Sequence, residues 1–168
     1  FVVKGDRGVQ KVQESIEIAA PIEEVFNYVA DFRNALGWMH GFNRFEPLTK
    51  ESRGKGARVK AAGRISGVPV TTELEITEFT PNRKLVSVSN AGLKSVSAWL
   101  FEPTDRGTRV SFVGYYEPPR GAVGGLLNLV WLRRELADHT WKSLKNLKRT
   151  LEAIHRGAGA STTAGGTA

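Results

Sequence analysis

The chain has 168 residues, 40% hydrophobic and 24% charged, which are ordinary proportions for one globular domain. It has no cysteine, which excludes disulfides and thiolate chemistry and leaves the redox compartment open. A net charge of +7 permits contact with nucleic acid or anionic lipid, but the basic residues are scattered without interleaved aromatics, so no nucleic-acid partner is expected.

Residues 1–8 carry Gly5 and Gly8 and little pattern, and are expected to form a flexible start. From Val9 to Ile18 the alternation becomes clean at Ser15-Ile16-Glu17-Ile18 and predicts a strand. Ala20-Pro21 breaks it. Pro21 at a first helical position, with Glu23 and Glu24 in the first turn, starts a short helix to about Ala30. Its apolar face is Ile22, Val25, Phe26 and Val29. Asp31 is placed to cap a second short helix through about Gly37. An aromatic-rich connection, Trp38 to Phe42, follows.

A run of strands separated by turn residues comes next. The expected strands are Asn43 to Glu51, Ala57 to Ser66, Val68 to Phe79, Leu85 to Ser89, Leu93 to Glu102 and Thr108 to Glu117. In the second, Val59, Ala61, Gly63 and Ile65 alternate against Arg58, Lys60 and Arg64. In the third, Val70, Thr72, Leu74 and Ile76 alternate against Glu73, Glu75 and Thr77. In the last, Val110, Phe112, Gly114 and Tyr116 are chosen as the inward set, because Gly114 beside that bulk leaves room or kinks the strand.

Gly121 to Arg156 reads as one long amphipathic helix, uninterrupted by Pro or Gly from Leu126 to Arg156. At about 1.5 Å per residue it would run roughly 50 Å. Its stripe is Leu126, Val130, Arg133, Ala137, Thr140, Leu144, Leu147 and Leu151. The second half of that stripe is plain aliphatic and is expected to pack as core. The first half centres on Arg133, and a charge buried there is costly unless it is paired or wet. Two readings stay open: the first half borders a cavity, or Arg133 snorkels outward. Trp131 projects away from the stripe and with Leu127 forms an exposed apolar spot, read as a gate, a membrane contact, or a patch covered by the preceding loop. Residues 157–168 are Gly, Ala, Ser and Thr only, and are expected to be a disordered tail. The domain is thus expected to span residues 9–156.

Consecutive strands joined by short turns imply an antiparallel meander, and the long helix is the element large enough to cover one of its faces. This α+β order resembles the START/Bet v 1-like (SRPBCC) superfamily, and within it the polyketide cyclase/dehydrase and lipid-transport group. The resemblance is carried by Ile16-Glu17-Ile18-Ala19-Ala20-Pro21-Ile22-Glu23-Glu24-Val25-Phe26, and by Asp31-Phe32-Arg33-Asn34 with Trp38. It continues in Lys55-Gly56-Ala57-Arg58-Val59, Ile76-Thr77-Glu78-Phe79-Thr80-Pro81, Phe101-Glu102-Pro103 and Gly107-Thr108-Arg109-Val110, and ends in Leu144-Lys145-Asn146-Leu147-Lys148. It implies a helix-grip fold: a curved antiparallel sheet of about seven strands round the long C-terminal helix, two short helices after the first strand, and an apolar cavity between sheet and helix. It transfers no catalytic residue.

Direct signs of chemistry are sparse. No His, Asp or Glu spacing suits a metal, no nucleophile motif exists, and no cofactor is expected. His139 falls opposite the centre of the stripe and reads as surface. His40, beside Trp38 and Met39, is a candidate for a cavity mouth. Glu73 and Glu75 share the outer face of their strand.

The resulting expectation is binding of a hydrophobic or amphipathic small molecule, such as a lipid, polyketide or quinone, in the cavity. Arg133, Thr140 and Tyr116 are the expected orienting groups, and Trp38, Leu74, Val130 and Ala137 the expected wall. One alternative is a polyketide cyclase or aromatase using the same cavity, with Arg133 or Tyr116 stabilising an enolate. Another is a toxin-like ribosome or protein interaction module. A monomer or homodimer in the cytoplasm is expected, since no apolar run is long enough to span a bilayer and no signal peptide is visible.

Overall fold

The alternating segments fold into seven strands in a single antiparallel sheet, ordered β1-β7-β6-β5-β4-β3-β2. In a computed structural model of the chain, residues 9–65, 67–117 and 126–163 are described, the side chains of 126–129 and 160–163 excepted. The strands are β1 (Gln10–Ile18), β2 (Phe42–Pro47), β3 (Arg58–Ile65), β4 (Val68–Thr80), β5 (Lys84–Gly92), β6 (Ser95–Thr104) and β7 (Gly107–Tyr116). Helix α1 (Ile22–Val29) and a tight connector helix (Phe32–Gly37) lie between β1 and β2, and helix α2 (Leu126–Thr163) ends the fold. The expected α+β helix-grip is therefore the observed fold. The expectations for residues 1–8, for the start of the long helix at Gly121 and for the Leu127 side chain fall outside the described residues.

The sheet order follows from where the two short helices sit. β2 to β7 are joined in sequence as hairpins, while β1 pairs with β7 at the far edge, Ile18 opposite Thr108. Helix α1 and the connector helix therefore carry the chain from one edge of the sheet to the other. Helix α2 touches both β1 and β3, so the sheet curls round it. Pro21 precedes α1 in extended conformation, and Asp31 caps the connector helix by accepting from the Arg33 N–H at 3.0 Å.

Three boundaries differ most from expectation, one of them that of β5, which runs on to Gly92 past the expected Ser89. β2 stops at Pro47 instead of reaching Glu51, because the Thr49 hydroxyl accepts from the Arg58 N–H at 2.9 Å and ends the ladder there. Helix α2 runs past Arg156 to Thr163, through residues read as tail. Once a packed helix exists, each added residue gains a hydrogen bond without a new nucleation cost, and Gly157 meets nothing that would stop it.

The core lies between the sheet and the second half of α2. Leu144, Leu147 and Leu151 are fully buried there with Ile18, Val25 and Val110. The Phe26 ring meets Phe79 and Phe101 edge-on at 5.2 and 5.1 Å between centroids. Polar contacts pin this half of the helix to the end of β1. Lys148 Nζ donates to the Glu17 carbonyl and to Glu152, each at 2.7 Å, and the Ala19 N–H donates to Glu152 at 2.9 Å. Those bonds hold the Glu152 carboxyl below its ordinary value, Lys148 contributing most.

Candidate ligand cavity

The first half of α2 stands away from the sheet and leaves a cavity of about 120 Å³. A single water needs roughly 10–15 Å³ by this kind of measure, so there is room for several waters or a ring-sized organic group. The sheet supplies Thr72 and Leu74 from β4, Leu85 and Ser87 from β5, and Ser97 and Trp99 from β6. β7 adds Phe112 and Tyr116. Helix α2 supplies Leu136, His139, Thr140 and Ser143, and the connection after the connector helix closes the space with Trp38, Met39 and His40.

The wall is mostly aromatic and aliphatic. Trp38 meets Trp99 edge-on at 5.2 Å, and Trp99 meets Phe112 at 4.6 Å. Gly114 makes the β7 part of the wall fit: a Cβ there would lie 2.7 Å from the Phe112 ring and 2.8 Å from the Tyr116 ring. The inward set chosen on β7 is thus the observed one, with Val110, Phe112 and Gly114 buried and Tyr116 half-buried.

Polar groups on the wall fall into two kinds. Some are spent on the protein itself: Thr72 donates to the Leu93 carbonyl, Thr140 to Leu136 and Ser143 to His139. The others lie on the inner face of the sheet. Ser87 stands opposite Ser97 across β5 and β6, and Ser95 stands opposite Tyr116 across β6 and β7. Burial pushes the Tyr116 phenol well above its ordinary value, so it remains a protonated donor.

On the cavity wall, His40 and His139 meet edge-on with ring centroids 4.9 Å apart. The His40 N–H donates to Ser143 Oγ at 2.8 Å, tying this connection to α2. Gly41, at φ +84°, continues the connection, and its carbonyl accepts from the Arg64 N–H at 2.8 Å. The exposed Arg64 side chain lies on the outer face of β3 and donates to the Gly67 carbonyl at 2.8 Å. Burial, and secondarily the neighbouring His40, hold the His139 imidazole below its ordinary value, so it is mainly neutral at pH 7. Among the described residues no group of three or more His, Asp or Glu could hold a metal.

Of the residues expected at a ligand site, Trp38, Leu74, Tyr116 and Thr140 line this one cavity. Val130, Arg133 and Ala137 do not. Val130 is 61% exposed, Arg133 is exposed, and Ala137 is half-buried against the core beside the cavity. The correction has a geometric cause. The stripe took its phase from Leu144, Leu147 and Leu151, but the first half of α2 presents Leu136, His139, Thr140 and Ser143 inward. That face is rotated by roughly half a residue step at about 100° per residue. It moves Arg133 into solvent, as the snorkelling alternative required, and turns His139, read as surface, onto the cavity. His40 lines the cavity. Sequence reasoning missed Ser87 and Ser97. The serines share the strand phase of Leu85, Trp99 and Phe101, and that phase was the available signal.

A sequence profile of the family described as "Polyketide cyclase / dehydrase and lipid transport" matches residues 9–152. No match was found among curated protein sequences. Solved structures share the fold. Protein TTHA0849 of Thermus thermophilus is 23% identical with a TM-score of 0.76, over 86% of this chain and 98% of that one. The Zhui aromatase/cyclase of a Streptomyces species is 17% identical with a TM-score of 0.73, over 90% and 98%. Ara h 8.0201 is 12% identical with a TM-score of 0.63, over 87% and 99%.

Proposed function

The chain belongs to the polyketide cyclase/dehydrase and lipid-transport family, and on that premise we propose that it binds an amphipathic or aromatic small molecule between the sheet and the first half of α2. The observation that carries this reading is the cavity itself. Its wall joins the Trp38–Trp99–Phe112 aromatic cluster to hydroxyls on Ser87, Ser97 and Tyr116. Apolar burial supplies affinity, and the few polar groups fix orientation. Of the residues expected from the sequence, Trp38, Leu74, Tyr116 and Thr140 are the proposed contacts.

Native mass spectrometry of the freshly purified protein tests this. A co-purified small molecule is expected, and Ser97→Phe, which fills the cavity, is expected to lose it while keeping the wild-type circular dichroism spectrum. Protein that is empty, and that takes up no aromatic probe, would overturn the reading.

A catalytic use of the same cavity is favoured by one observation: His139 is a half-buried imidazole on the wall, held mostly neutral, and so suited to accept a proton. Cyclisation of a poly-β-keto chain is the reaction class this would serve. Val130 and Trp131, 61% and 46% exposed near the start of α2, are proposed as a peripheral membrane contact for ligand transfer. Vesicle flotation with and without Trp131→Ser checks that part. Among the described residues no helix is long and apolar enough to cross a membrane.

A further inference from the structure

An antiparallel sheet with one covered face ordinarily turns polar side chains to solvent on the other. The flanking strands obey this. Their outward residues are Lys11, Gln13 and Ser15 on β1 and Glu75 and Glu78 on β4. The three strands between them do not. On that outer face Val88, Val96 and Tyr115 stand side by side across β5, β6 and β7, and Val86, Ala98 and Val113 form the next row. Leu100 continues the patch on β6, between Lys84 and Ser111. All the apolar members are half-buried by their neighbours in the sheet, and none belongs to the core. Among the described residues both helices pack on the inner face, Phe26 of α1 against Phe101 and Leu136 of α2 on the cavity. At about 4.8 Å between strands and about 6.8 Å between rows, the apolar grid covers about 300 Å². A contiguous patch of that size, rimmed by polar residues, marks a contact surface.

The rows end in groups that complement one another. The row of Val88, Val96 and Tyr115 runs from Glu75 on β4 to Lys11 on β1, and the next runs from Glu78 to Gln13. Asn90 donates to Glu75 at 2.8 Å, while Arg58, beside Glu75 on β3, is paired with Glu73 at 3.5 Å. We infer that this face binds a second copy of the chain, sheet on sheet, about a two-fold axis that lies between the sheets and runs along β6. Rotation about that axis exchanges the two sides of the face. It lays β5 over the partner's β7 and β4 over the partner's β1. Glu75 then meets Lys11 of the partner subunit, and Lys11 meets Glu75 of the partner subunit. Glu78 meets Gln13 of the partner subunit in the same way. Ala98 sits on the axis, where its small side chain lets the sheets approach. A patch that complements itself under a two-fold rotation is what an isologous interface requires. Aligned sheets pack about 10 Å apart with their strands about 30° apart, which an axis inclined by half that angle to β6 supplies. The sheet curls away on either side, so five strands meet and each copy contributes about 500 Å². About 1,000 Å² in all is the lower limit of a specific interface, so the dimer is weak, dissociating at about 10–100 µM. The cavity lies on the other face of the sheet and stays open, so this inference does not rest on the binding reading.

Sedimentation velocity of the full chain at low salt, from about 5 µM to about 500 µM, tests this. A monomer–dimer equilibrium with its midpoint inside that range is expected. Ala98→Glu places two carboxylates face to face on the axis. It is expected to leave the chain monomeric at the highest concentration with an unchanged circular dichroism spectrum. Lys11→Glu and Glu75→Lys each break two symmetry-related pairs and set like charges together, and each is expected to weaken the dimer about tenfold. The double variant Lys11→Glu/Glu75→Lys restores both pairs with their signs exchanged and is expected to return to within about threefold of the parent. These exposed positions carry the test even where Ala98→Glu disturbs the fold. A chain monomeric throughout, as when its own residues 1–8 or 118–125 cover the patch, would overturn the inference. So would a dimer indifferent to Ala98→Glu, or a double variant no tighter than the single ones.

Discussion

Gly41 lies so close to the His139 ring that a Cβ placed on it would sit 2.5 Å from Nδ1. The same Cβ would be 3.1 Å from the Arg64 carbonyl oxygen, and the backbone there has φ +84°. Gly41→Ala thus combines a clash with a left-handed conformation that alanine resists. It is expected to cost about 2–3 kcal/mol. Gly54→Ala, at φ +90° with nothing within 4 Å, is expected to cost only about 1 kcal/mol. Urea unfolding of the two variants measures the difference, and equal losses would mean that His139 yields freely.

The two halves of α2 should answer differently to truncation. Leu144 is fully buried in close-packed core, while Leu136, 5% exposed, borders the cavity and already lacks neighbours on one side. Leu144→Ala is expected to cost about 3–5 kcal/mol and Leu136→Ala about 2 kcal/mol. Thermal and chemical denaturation of both would check the order. A larger loss at Leu136 would imply a tighter fit there than the cavity allows.

Asp31 gives a defined acid limb. Its carboxyl is held at about 2, chiefly by the Arg33 side chain, against an ordinary value of 3.8. A depressed carboxylate contributes stability that is fully present above its unfolded value and lost as pH falls through the folded one. The window is therefore pH 4 down to about 2. Arg33 is largely exposed, so solvent screening reduces the contribution to about 1 kcal/mol. Asp31→Asn retains a capping acceptor and should flatten the stability profile in that window.

His139 acts in a higher window with the same sign. Its folded value lies below its unfolded one, so as pH falls beneath about 6.5 the unfolded chain takes up the proton first. Stability is present above that point and declines as pH drops through the folded value. His139→Gln should remove this slope below about pH 6.5. The measurement is the urea midpoint against pH, and a variant as pH-dependent as the parent would reject the assignment.

Strand order and facing were legible because a period of two with one covered face leaves little choice. Val59 and Ala61 on β3, Thr72 and Ile76 on β4, and Val110 and Phe112 on β7 are all buried as their alternation requires. The phase of the long helix was harder to read. Leu132, Leu136 and Ala137 offer apolar positions on both sides of the true face, and Val130 and Trp131 are apolar yet exposed. A helical projection fitted to the aliphatic end carried Arg133 inward and His139 outward. Only the sheet on the other side of the cavity decides between them. The hydroxyls of Ser87 and Ser97 were passed over because serine in a strand ordinarily signals the wet face, whereas here they face the cavity.

The pairing of the first strand with the last bears on how the chain is made. The Thr108 hydroxyl bonds the Ala20 carbonyl across 88 residues, and among the described residues β1 has no neighbour other than β7 in the sheet. During synthesis β1 emerges from the ribosome with an unpaired edge and must wait for its partner, while the hairpins between β2 and β6 can zip locally. Closing so long a loop places this seam late in folding, so stalled or truncated nascent chains that end before Gly107 are left with a free strand edge open to aggregation.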